Sequence, residues 1–213
     1  MKVAVPQSAE HIPLCAFQEL SRIENPEPLD VVATLCELPK STVRNFKARS
    51  VDEIASALSS GFEKKFGLTR TFKMDGVTYG FIPNLDDATY GEVNDIQNYL
   101  SKVETWHVAM GVLYRPIVGR IVKGKYVIEQ YVPGRYSEAM RRCPLSVAMG
   151  AQVFFCNLMI DLLSYIQNYM KEEEIKKMLG SGKNGEDIIR WFRSLETILP
   201  ELKRSADITS TPV

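Results

Sequence analysis

The sequence predicts an α+β fold, mostly helical, with two small antiparallel hairpins and a central apolar helix. Three patterns carry this reading. Apolar residues recur at helical spacing over residues 12–66. The period changes to two on either side of Asp75-Gly76, and again over residues 117–131. Residues 144–170 are then the most apolar stretch of the chain.

Leu14, Phe17, Leu20 and Ile23 repeat every three residues and predict a first short helix. Leu29, Val32, Leu35 and Cys36 predict a second, and the break from Pro26 to Pro28 separates the two. Pro39 ends the second helix, and Ser41 to Lys47 adds a helical turn. Ser50-Val-Asp-Glu53 has the spacing of a capping box, with Ser50 as cap and Glu53 reaching back. Behind it Ile54, Ala57, Leu58, Phe62 and Phe66 form an apolar stripe that Gly67 closes.

Residues 69–82 read as a hairpin. Asp75-Gly76 forms its turn because both residues tolerate positive φ, and Pro83 stops the second strand. The stretch FIPNLDDATYGEVNDIQNYL, residues 81–100, then passes from strand to helix. Thr89-Tyr-Gly-Glu92 is a second capping box, Asp86 and Asp87 add negative charge at the same helix end, and Leu85 or Ala88 is placed to staple onto Val93. Gly91 in the first turn weakens a helix unless a neighbour packs closely there, and the hairpin is the expected neighbour.

A helix over residues 104–113 follows, then a second hairpin pairing residues 117–122 with 126–131, then a short amphipathic piece over residues 136–142. The apolar stretch 144–170, with Ser146 as candidate cap, is long enough to span a membrane. Gln152, Asn157 and Asp161 interrupt it, which favours a core helix covered by its own chain or by a neighbour. Residues 171–177 read as a solvated helical run, residues 179–185 as a flexible breaker and residues 186–199 as a last amphipathic helix. The expected organisation is a helical unit over residues 1–67, a hairpin-plus-helix core domain over 68–202 and a flexible tail over 203–213.

Composition narrows the function. The chain has 213 residues, 45% of them hydrophobic and 24% charged, which predicts a folded protein with a sizeable core. Its formal net charge is zero, which argues against phosphate-driven nucleic-acid binding. Cys15, Cys36, Cys143 and Cys156 form no Cys-x-x-Cys pair, so reduced thiols and a reducing compartment are expected. The first residues lack the apolar core of a signal peptide.

Motifs that carry chemistry do not assemble. Residues 180–185 suggest a phosphate loop, but Asn184 follows Lys183 where the loop needs Ser or Thr, and Lys177 stands where its leading Gly belongs. The two histidines, His11 and His107, have no Cys or second His at ligand spacing, and His107 is expected to pack on a helix face. Glu172, Glu173 and Glu174 are adjacent and point in different directions. Asp86, Thr89 and Glu92 do not fill the alternating pattern of a calcium loop. The sequence therefore predicts no enzyme, no cofactor, no metal site and no membrane span. The candidate interface residues are Phe154, Phe155, Arg135, Arg141, Arg142 and Trp191.

The layout resembles small proteins encoded among the virion genes of tailed bacteriophages, including crAss-like phages. Thr89, Gly91, Val93, Asp95 and Ile96 match the recurrent strand-to-helix pattern there. Residues 12–20, 30–40 and 50–58 are similar in layout, as is Pro144-Leu-Ser-Val-Ala-Met-Gly150 leading into an aromatic-rich helix. The resemblance covers most of residues 12–170. It implies a non-enzymatic virion structural protein, at the portal and tail junction or inside the particle, made in the host cytoplasm and acting through protein–protein contacts. Its partners would be other virion proteins and copies of itself in an oligomer or ring, with no specific nucleic acid. The alternative is a tail assembly chaperone or adaptor that is absent from the mature particle.

Overall fold

A computed structural model describes residues 5–6, 8–60, 66–120 and 125–169. The fold is α+β and mostly helical. The chain forms two compact units, Met1–Ala151 and Gln152–Val213.

The first unit opens with a 3-10 turn, Ala9–His11, and helices α1 (Leu14–Leu20), α2 (Pro28–Leu35), α3 (Lys40–Val43) and α4 (Ala48–Ser60). Pro28 occupies the first turn of α2, where its missing amide has no helical partner to lose, and Asp30 accepts from the Glu27 amide at 3.2 Å. The helix ends in a Schellman arrangement. Leu38 N–H donates to the Ala33 carbonyl at 2.8 Å, Glu37 N–H donates to Thr34, and Glu37 takes φ 52°. Val32, Ala33, Val43, Val51 and Ala55 form the core of this helical group, with Leu29, Phe46 and Ile54 packed at its edge.

Two local expectations fail. Helix α4 begins at Ala48, and the amides of Ser50 and Val51 already donate to the Lys47 carbonyl. Ser50 is therefore inside the helix, and Glu53 pairs instead with Arg49 at 2.9 Å, one turn back. The expected continuation of this stripe through Phe62 lies outside the described residues, but Phe66 and Gly67, at the expected close of the helix, are not helical.

The sheet has four antiparallel strands in the order β1 (Thr71–Met74), β2 (Val77–Phe81), β3 (Tyr114–Arg120) and β4 (Tyr126–Ile128). Both residues of the first turn have positive φ, 50° for Asp75 and 78° for Gly76, as a two-residue hairpin loop requires. In the second hairpin Ile117 faces Ile128 and Arg120 faces Tyr126, with a bulge between Ile117 and Gly119. The two hairpins join edge to edge: Tyr79 pairs with Pro116, Gly80 with Arg115 and Phe81 with Tyr114.

Helix α5 (Tyr90–Leu100), a 3-10 turn at Val103–Thr105 and α6 (Trp106–Leu113) lie between β2 and β3 in the chain. Helix α6 runs directly into β3, so the fully buried Met110, Leu113 and Tyr114 carry the core from helix to sheet. Phe72, Tyr79, Phe81 and Tyr114 close that core with stacked and edge-to-face ring pairs. A short α7 (Ser137–Met140) packs on α6. The chain before α1 is tied to the residues after α7. Pro13 bridges Pro144, Leu14 N–H donates to Cys143 at 2.9 Å, and Leu145 N–H donates to Ile12 at 2.8 Å.

Helix α8 (Leu145–Tyr169) corresponds to the predicted apolar helix. It starts one residue before Ser146, which therefore lies in its first turn and is not the cap. Leu145, Val147, Ala148 and Ala151 are buried. No helix among the described residues is long and apolar enough to cross a membrane. The elements expected over 171–177 and 186–199, and the tail, lie outside the described residues.

Gly150 of α8 meets the chain at Gly67. A Cβ placed on Gly150 would stand 2.2 Å from the Gly67 carbonyl oxygen, and backbone cannot turn aside as a side chain can. Gly150→Ala should therefore destabilise the protein, despite the better helix propensity of alanine, by about 1–3 kcal/mol or more through overpacking. Chemical denaturation of the variant checks this; an unchanged midpoint would contradict the close approach.

Candidate functional site

The stretch 81–100 builds a polar cluster that joins α5 to the sheet. Thr89 is the N-cap of α5, and the expected capping box is present. Glu92 N–H donates to Thr89 Oγ1 at 3.3 Å, while Thr89 N–H and its hydroxyl each donate to Glu92 Oε2 at 2.7 Å. Just before it, Asn84 Nδ2 donates to Asp87 at 2.7 Å and Asp86 N–H donates to Asn84 at 3.2 Å. Both bonds shape the turn that precedes the helix.

Glu92 has a second task that the capping box does not reveal. Its other carboxylate oxygen accepts from the Arg115 guanidinium of β3, and the pair is buried, with side-chain exposures of 5% and 7%. Tyr131 lies over that guanidinium, 6.0 Å from ring centroid to Cζ, and its hydroxyl donates to Asp95 one turn further along α5. Gly91 makes room for this ring, since a Cβ there would stand 3.1 Å from Tyr131 Cε1. The expected close packing at Gly91 is therefore present, and its partner is the ring that follows β4.

The chemistry of this cluster is that of a joint. Glu92 accepts from the Thr89 amide, the Thr89 hydroxyl and Arg115 together, so both of its carboxylate oxygens are engaged. Burial, and then the bond to the Asp95 carboxylate, push the Tyr131 hydroxyl above its ordinary range and keep it protonated. Arg115 Nε is buried without a hydrogen-bond partner. Arg115 and Tyr131 were not singled out from the sequence. The signal available was a single charge inside the otherwise uncharged run YRPIVG. A charge so placed needs a buried partner.

The candidate interface residues fall in different places. Arg135 stacks on Tyr136 at 5.5 Å and lies 3.6 Å from Glu129, which also accepts from the Tyr136 hydroxyl. Arg141 pairs with Glu138 at 2.9 Å, and Arg142 pairs with Asp75 at the hairpin turn. Each guanidinium thus has a carboxylate beside it. In the second unit Phe154 and Phe155 are half-buried and meet edge to face at 5.2 Å. Trp191 lies outside the described residues.

His107 is buried on α6 and belongs to a second polar contact, with Gln18 of α1. Burial, and then the positive charge of Arg141, lower its pKa from the ordinary imidazole value. Among the described residues no three His, Cys, Asp or Glu side chains gather as a metal centre. The four cysteines are free thiols, and burial raises the pKa of each.

No family model, no curated protein and no solved structure matches the chain.

Two substitutions separate the layers of the joint. Thr89→Ala removes the cap alone and should cost about 1 kcal/mol. Arg115→Met leaves Glu92 buried beside an apolar side chain and should cost about 3–5 kcal/mol. Urea unfolding of both variants measures the difference, and a smaller loss for Arg115→Met would show the pair to be solvated. If the acids are structural, a chelator should leave the melting curve of the parent protein unchanged.

Proposed function

We propose that the chain is a non-enzymatic structural protein of a bacteriophage virion, placed at the portal and tail junction or inside the particle and acting through protein–protein contacts. The reading rests on the resemblance over residues 12–170 and on what the matching residues do. Thr89 caps α5, Gly91 seats Tyr131, and Asp95 holds the Tyr131 hydroxyl. All three serve the strand-to-helix joint, which fits a part whose task is to hold a shape.

The observation that carries a contact-making role is on α8. Between Gln152 and Asp161 the exposed residues are Asn157, Leu158, Ile160 and Asp161. At 100° per residue they occupy one arc of roughly 160°. Leu158 and Ile160, at 45% and 39% exposure, flank the two polar residues, whereas the opposite side buries Met159 together with the amide of Gln152. The outward arc thus leaves two large aliphatic side chains partly exposed while an amide is buried. That inversion of the usual helix pattern fits a surface that other protein covers. A chain of zero net charge also has little self-repulsion to keep copies apart.

Mass spectrometry of purified particles, with copy number, tests the proposal. The chain should be present at a fixed stoichiometry that fits a ring or a defined internal complement. Its absence from particles, with recovery in complex with another virion protein during infection, would replace this reading with that of an assembly chaperone or adaptor.

A further inference from the structure

The contact between α1 and α6 contains a polar pair that the strand-to-helix joint does not use. Gln18 of α1 is 2% exposed and His107 of α6 is 8% exposed. The Gln18 amide nitrogen donates twice, to the Val103 carbonyl at 2.6 Å and to His107 Nδ1 at 3.1 Å. Both of its hydrogens are then engaged, and Gln18 Oε1 is buried without a hydrogen-bond partner. We infer that the Gln18–His107 contact is an acid-sensitive latch: it holds α1 on α6 while His107 is neutral and releases it when the ring takes up a proton.

The geometry makes the latch one-sided. To accept from Gln18, Nδ1 must carry no hydrogen, so the ring is the neutral tautomer protonated at Nε2. A second proton turns Nδ1 into a donor that faces another donor. Turning the Gln18 amide round would bring Oε1 to face Nδ1, but the same oxygen would then stand against the Val103 carbonyl, acceptor against acceptor. One of the two bonds is therefore lost, and a charge is left among buried groups.

The charges around the ring do not neutralise it. Arg141, just after α7, and Arg22, just after α1, both oppose the proton, while Glu138 of α7 favours it. Glu138 is itself paired with Arg141 at 2.9 Å. The Glu104 backbone, from the 3-10 turn before α6, also favours the proton, but burial and Arg141 outweigh it. Undocking α1 removes its share of the burial and the charge of Arg22, both of which oppose the proton. The free form therefore binds the proton more readily than the docked form, and docking weakens as pH falls through the range in which the ring titrates.

What is released is defined by its other ties. Phe17 stacks on Trp106 at 6.0 Å, Leu14 N–H donates to Cys143, and Cys15 N–H donates to the Arg141 carbonyl at 2.8 Å. These bonds lie along one short segment, residues 12–18, so loss of the Gln18 anchor loosens them together.

Hydrogen–deuterium exchange on the full chain at about pH 7.5 and about pH 5 tests the latch, with protection at each pH taken relative to unstructured exchange. Residues 12–20 should lose protection several-fold at the lower pH, while the β1–β2 hairpin keeps its own. In His107→Asn the amide oxygen accepts from Gln18 at either pH, and the loss should disappear. In His11→Asn, which changes the exposed histidine, it should persist. The inference fails if residues 12–20 keep their protection at pH 5, or if His107→Asn loses it equally. It fails too if the hairpin opens in step with them. Should His107→Asn not fold, nitrogen NMR of the parent protein decides. His107 must carry its hydrogen on Nε2 at neutral pH, and the loss of protection must follow its titration and not that of His11.

Discussion

The buried ion pair between Glu92 and Arg115 is the constraint on which the rest of the first unit depends. One carboxylate closes the first turn of α5 through Thr89 and at the same time holds the guanidinium of β3. Strand β3 is the strand that joins the two hairpins, pairing with β2 on one side and β4 on the other. The pair therefore fixes a helix start to the middle of the sheet. Removing two charges from water is costly, and such a pair is weak evidence for stability as such. Its effect here is on register. Side chains alternate faces along a strand, so shifting β3 by one residue would turn Arg115 away from Glu92 and drive Tyr114 out of the core.

The same logic recurs at smaller scale. Several polar side chains in the first unit end on backbone carbonyls far away in sequence or around a turn. Tyr114 donates to Thr69, Tyr126 to Phe81 and Arg70, Trp106 to Leu100, and Gln18 to Val103. An aromatic ring buries a large apolar surface, and its hydroxyl or N–H demands one partner in one place. Tyr126 of β4 thus reaches across to β2 and ties the second hairpin to the first beyond the ladder bonds of β3. A small sheet with a three-residue edge strand gains definition from such bonds that its short ladder does not supply.

The parts of this fold that were legible in the sequence are those decided within four residues. The Asp75-Gly76 turn, the Thr89 cap and the proline-marked start of α2 all follow from the conformations those side chains permit. The Ser50 reading failed at the same range because Ser-x-x-Glu spacing also occurs inside a helix. There the amides already have carbonyl partners, and the glutamate can pair with an arginine one turn back. The joining of the hairpins, the Glu92–Arg115 pair and the Gln18–His107 contact were not legible. Their partners are separated by 23 and 89 residues in the two side-chain pairs, and no local pattern encodes which distant residue answers a buried charge or amide.

This division bears on function. The acids that most resemble a ligand loop, Asp86, Asp87 and Glu92, sit where a strand must become a helix. The Asp86 amide and the Asp87 carboxylate bond to Asn84, and the Glu92 carboxylate bonds to Thr89 and Arg115. The arginines that most resemble a binding patch stand beside Glu129, Glu138 and Asp75. An outside anion or acidic partner would have to displace those carboxylates, whereas Leu158 is an exposed aliphatic side chain that an apolar partner would cover. Desolvating an exposed aliphatic side chain is favourable by itself, at about 25 cal/mol per Å² of apolar surface. Breaking an existing ion pair to form another returns little. The proposed contact-making role thus rests on the exposed aliphatic side chains of the apolar helix, while the described ion pairs serve the geometry of the fold.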